Sequence, residues 1–122
     1  RGEMRALEQR YGGDLEARSH GESFLAFFKS RFRSGGLYVL DEPEAPLSPL
    51  RQIGLIALLQ ELAAQDAQFI IATHAPILMA CPGATLLSFD EQPPRAAAYE
   101  ALEHVRLTRA FLNAPHLFLK HL

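Results

Sequence analysis

Two short apolar runs, Leu37-Tyr38-Val39-Leu40 and Phe69-Ile70-Ile71-Ala72, constrain the fold most, because each is too short for a free-standing helix and stops abruptly at polar residues. A continuous apolar run of this length reads as a strand buried on both faces, the habit of parallel sheets. Asp41-Glu42-Pro43 ends the first run, and Thr73-His74 ends the second. Between them Ser48-Pro49 supplies an N-cap followed by proline in the first helical turn, opening a helix through about Ala64. Its leucines and isoleucines fall nearly all round the cylinder, so cover on more than one side is expected. Strand, helix, strand is therefore the central unit. A right-handed crossover makes the strands parallel and brings Asp41, Glu42 and His74 to one edge of the sheet.

The flanks are read around that unit. Residues 1–18 are mostly polar and broken by Gly12-Gly13-Asp14, as befits a peripheral lead-in. After Ser19, the spacing of Phe24, Leu25, Phe27 and Phe28 lays an apolar face on a helix reaching about Phe32, which Ser34-Gly35-Gly36 stops. Beyond the second run Ala75-Pro76 starts a helix, Thr85 to Phe89 is a third strand, Gln92-Pro93-Pro94 is a break, and Tyr99 to Asn113 is a helix ending before Pro115. A chain of 122 residues with 48% apolar side chains can bury one core and is too short for two ordinary domains. Twelve Lys plus Arg against fourteen Asp plus Glu give a net charge of −2, which supplies no field for steering onto nucleic acid or an anionic membrane. Cys81 has no partner for an internal disulfide and reads as a small buried thiol. No apolar run approaches the roughly twenty residues that cross a bilayer, and the opening RGEMRALEQR lacks the apolar core of a signal peptide. A soluble cytoplasmic protein is expected. The chain opens at Arg1 with its first Met at position 4, as a processed or excised piece of a longer polypeptide would.

Each polar feature has a plain structural reading. Ser19-His20-Gly21-Glu22 fits a capping box, Asp41-Glu42 can be solvated loop acids, and His74 can merely end a strand. Their order gives them a joint use. An acid at a strand end can hold Mg²⁺ through water, the next acid can accept the proton of a water attacking a γ-phosphate, and a histidine on the neighbouring strand can hydrogen-bond that phosphate. Asp41, Glu42 and His74 suit these roles in turn. A helix N-terminus carrying Ser and Gly can also bind an anion, so the capping and phosphate readings of Ser19 are compatible.

With these residues in order, the chain resembles the ABC-type ATPases. SHGES (19–23) looks like a variant of their signature motif, LYVLDEPEA (37–45) like their Walker B strand with its catalytic glutamate, and FIIATHAP (69–76) like their switch strand with its histidine. DEPEA followed by PLSP looks more like the soluble members of the family, among them DNA-repair, chromosome-maintenance and phage-defence proteins, than like transporters. The resemblance implies an α/β fold, the C-terminal part of a P-loop NTPase head with a mainly parallel sheet flanked by helices. It divides the chain into a lead-in (1–18), a signature helix (19–33), a strand-helix-strand core (37–90) and a C-terminal helical segment (99–122). It implies ATP and Mg²⁺ as ligands, Glu42 and His74 as catalytic residues, and Asp41 as the metal residue. It also implies a homodimer in which Ser19, Gly21 and Glu22 of one head contact the nucleotide of the other.

The departures matter as well. His20 stands where the family has a glycine and Glu22 where it has glutamine, so the trans contact falls to Ser19 and the backbone around Gly21. The loop after Glu42 lacks the family's usual aspartate. No G-x-x-x-x-G-K-S/T occurs, nor can the glutamine of the Q-loop be assigned, so the chain looks like the second half of a head and is expected to be inactive alone. A non-catalytic module completing the site of a separate P-loop partner is the alternative. A metal-dependent phosphoesterase built on Asp41, Glu42 and His74 is a third reading, and it leaves SHGES unexplained. DNA or a protein partner would bind through regions outside these residues, and no membrane is expected.

Overall fold

The computed structural model describes residues 23, 25–90 and 92–122. It is a mixed α and β structure that divides into two compact units on either side of the bond between Thr73 and His74. The first unit holds helix α1 (residues 25–31), strand β1 (Leu37–Asp41), helix α2 (Pro49–Ala63) and strand β2 (Gln68–Ala72). The second holds helix α3 (Pro76–Met79), strands β3 (Leu87–Ser88) and β4 (Arg95–Ala96), a 3-10 turn (Tyr99–Ala101), helix α4 (Glu103–Asn113) and helix α5 (Pro115–Leu119).

In the first unit β1 and β2 pair in parallel, from Leu37 opposite Gln68 to Asp41 opposite Ala72, so the strands end level. The connecting helix begins where its capping chemistry places it. Ser48 is extended, its hydroxyl accepts the Arg51 N–H at 3.3 Å, and Pro49 occupies the first turn, where a missing N–H costs nothing. The helix closes with a Schellman turn. The Ala67 N–H reaches the Leu62 carbonyl at 3.0 Å and the Asp66 N–H reaches that of Ala63 at 3.1 Å, while Asp66 takes the left-handed conformation at φ 68°.

Packing departs from the sequence reading in two ways. Helix α2 buries Leu55, Leu58, Leu59 and Leu62, a single stripe at helical spacing, and leaves Ile53 exposed on the opposite side, so the expected cover on more than one side does not form. Nor are the strands buried on both faces. Tyr38 and Phe69 lie on the covered face, with ring centroids 5.5 Å apart, and Phe32 meets them at 4.7 and 5.2 Å; Phe28 stacks on Phe32 at 5.3 Å. Each such aromatic pair adds about 0.5–1.5 kcal/mol beyond its buried area. Gly36 makes room for this cluster, since a Cβ there would lie 2.6 Å from the Tyr38 ring. The alternate residues Leu37, Val39 and Ile70 are exposed, Val39 at 74%. The reason is the layer count. Helices α1 and α2 lie on one side, Leu25 coming within 3.2 Å of the Cβ position of Gly54, and no described residue of this unit covers the other.

The second unit is organised around the buried Leu78 of α3 and Val105 of α4. The third strand expected over Thr85 to Phe89 shrinks to Leu87–Ser88, which pairs antiparallel with Arg95–Ala96 in a separate two-stranded sheet. Pro93 and Pro94 have no N–H to extend that ladder. The single helix expected from Tyr99 to Asn113 splits, because Leu102 is extended (φ −68°, ψ 132°) between the 3-10 turn and α4. The Tyr99 hydroxyl donates to the Pro76 carbonyl at 2.8 Å and pins that turn to the start of α3. Further along, Phe111 and Phe118 join α4 to α5 with centroids 5.7 Å apart. Arg109 pairs with Glu100, whose carboxylate raises the guanidinium pKa further.

Candidate functional site

Asp41 is the last residue of β1 and is exposed. The next residue prolongs the ladder, its N–H donating to the Ala72 carbonyl at 2.8 Å, yet its own backbone is left-handed: Glu42 has φ 48°. For a residue other than glycine that conformation costs about 1–2 kcal/mol, and it persists only where the surroundings over-determine it. Here the ladder bond holds one side. On the other, Pro43 is buried and the Ala45 N–H donates to the Glu42 carbonyl at 3.1 Å. Two consecutive exposed carboxylates result, at the end of the sheet where β2 also stops.

A third acid behaves differently. Glu44 is only 8% exposed, and the Thr73 hydroxyl donates to its Oε1, tying the loop after β1 to the residue after β2. A buried carboxylate needs such a donor. Nothing local in the sequence sets Glu44 apart from the other loop acids, and the signal that identifies it lies in the register. With Asp41 opposite Ala72, the hydroxyl at position 73 is the first side chain beyond the paired strands.

His74 belongs to the second unit, is exposed, and is paired. Its Nδ1 lies 3.3 Å from Nε2 of His104 on α4, and the two rings are 5.1 Å apart at 34°. The two histidines are thirty residues apart, and nothing local marks the contact. Cys81 is half-buried, and burial pushes its thiol up from the ordinary value, so it remains a thiol at neutral pH, as its sequence setting suggests.

Ser19, Gly21 and Glu22 lie outside the described residues. Among the described residues no group of three or more His, Cys, Asp or Glu could enclose a metal ion. A Mg²⁺ that keeps its waters and takes its remaining ligands from phosphates asks for only one or two carboxylates, a demand that the exposed Asp41 fits. No helix among the described residues is long and apolar enough to cross a membrane. No protein-family model matches the chain, and no curated protein matches it.

Proposed function

We propose that the chain is the C-terminal half of an ABC-type ATPase head and serves ATP hydrolysis together with a P-loop supplied from outside these residues. The observation that carries this reading is the level end of the parallel pair, with Asp41 and Glu42 directly at the end of β1 and Thr73-His74 next in the chain after β2. That is the order of acid, acid and histidine that triphosphate hydrolysis uses. Asp41 would hold Mg²⁺ through water, and the ion would supply charge neutralisation at the phosphates. Glu42 accepts the proton of the attacking water, its backbone fixed by the ladder bond to Ala72. His74 donates a hydrogen bond to the phosphate being cleaved. Ser19 and the backbone around Gly21, with Glu22, reach the nucleotide bound by a second copy, so the working site is built between two subunits. The reading places the protein in the cytoplasm, acting with DNA or a protein partner through other regions.

The test uses the polypeptide that joins this segment to its P-loop. Glu42→Gln keeps ATP binding and lowers turnover by about 10²–10⁴-fold, the usual worth of a positioned base. Asp41→Asn also lowers turnover, and raising Mg²⁺ restores part of it. Steady-state rates across a Mg²⁺ titration separate the two, and an identical metal dependence for both variants overturns the division of roles. Calorimetry of the 122-residue chain with Mg-ATP is expected to show no micromolar binding, because its sequence holds no G-x-x-x-x-G-K-S/T loop to cradle the phosphates.

A further inference from the structure

We propose that His104 is a positioning residue for His74, fixing its neutral ring as the Nε2–H tautomer so that a donor rather than a lone pair points away from the pair. The inference rests on the reading of His74 as a phosphate contact and adds a residue to it. The 3.3 Å separation between His74 Nδ1 and His104 Nε2 has room for one proton between them. If His74 supplied that proton, its Nε2 would carry only a lone pair, which repels a phosphate oxygen. If His104 supplies it, His74 keeps its own proton on Nε2 and can donate. Which ring nitrogen is protonated is set by the hydrogen bond the other nitrogen makes. In the second arrangement both rings also take the tautomer that free histidine favours in water.

The backbone around the pair is tied at both ends. His74 lies two residues before Pro76, whose carbonyl accepts the Tyr99 hydroxyl, and His104 follows that same 3-10 turn on α4, beside the buried Val105. The rings themselves are exposed, so the contact holds them in place without removing them from a ligand's reach.

Long-range proton–nitrogen NMR of the histidine rings in the ¹⁵N-labelled chain, at a pH where both are neutral and with a chelator present, reads the tautomers directly. The expected wild-type pattern is a protonated Nε2 and a bare Nδ1 on His74. His104→Phe keeps a ring but no donor, and His74 then shows a mixture of tautomers; His104→Gln returns an N–H and restores the single form. A protonated Nδ1 on His74 in the wild type, or no change in His104→Phe, overturns the proposal, as does a pattern that appears only when Zn²⁺ is added. In the ATP-hydrolysing polypeptide His104→Phe lowers kcat several-fold, up to about tenfold, the worth of one hydrogen bond, with ATP affinity unchanged. Wild-type turnover in that variant also overturns it. If the wild type shows the expected tautomer yet hydrolyses no ATP, the ATPase reading fails and the tautomer assignment stands.

Discussion

The Glu44 carboxylate is hidden by the fold and held by the Thr73 hydroxyl. Removing that donor without changing the shape leaves a carboxylate poorly solvated and short of a partner. Thr73→Val is therefore expected to cost about 1–3 kcal/mol, while Thr73→Ser, which keeps the hydroxyl, costs much less. Urea unfolding followed by circular dichroism measures both, and equal midpoints for the two variants would refute the role given to this hydrogen bond. Asp41 and Glu42 are legible in the sequence because they follow an apolar run directly, whereas nothing beside Glu44 or His104 marks the side chain each one meets.

Among the elements, α2 and the two parallel strands were the most legible. Ser48-Pro49 fixes one end of the helix chemically, and the apolar runs are interrupted at both ends by polar residues. What the runs could not convey is how many layers surround them. Leu37, Val39 and Ile70 look like buried residues, but in a two-stranded sheet with helices on one side they form the open face. Thr85 to Phe89 has the composition of a strand, yet its pairing stops after two residues, short of the prolines of the following segment. The helix ends at Ala63, within a residue of where the sequence pattern stops, but the left-handed Asp66 that closes it carries no sequence signal of its own. Glycine occupies that conformation without the Cβ penalty, so Asp66→Gly is expected to raise stability by about 1 kcal/mol. Thermal and urea melts of the variant check this, and a lowered midpoint would show that the aspartate side chain contributes more than its strained backbone costs.

At the scale of the molecule, the open sheet face and the free outer edges of β1 and β2 among the described residues are opposed only by the weak repulsion of a net charge of −2. A polypeptide of these residues alone is expected to self-associate as its concentration rises. Val39→Lys places a charge in the middle of that face, where the native side chain is exposed, and is expected to shift light scattering toward monomer with little change in the unfolding midpoint. Scattering by the variant indistinguishable from wild type would locate the association elsewhere. The same face shows why the parallel pairing is more legible in the sequence than the complete architecture. Apolar strands separated by a helix announce parallel pairing, but they do not say what fills the second side.

The register that joins Leu37 to Gln68 has a kinetic consequence. The strands can meet only after the chain between them closes, and the regular structure in that interval is α2, whose formation shortens the span. The rate-limiting barrier to refolding is therefore expected to be crossed with the helix formed and the strands only beginning to pair. Ala57→Gly, on the exposed side of α2, costs about 1 kcal/mol of helix propensity. That loss is expected to appear almost wholly as slower refolding in stopped-flow chevrons, whereas Ile70→Ala acts mainly on the unfolding limb. Equal partition in the two variants would mean that helix and sheet assemble together.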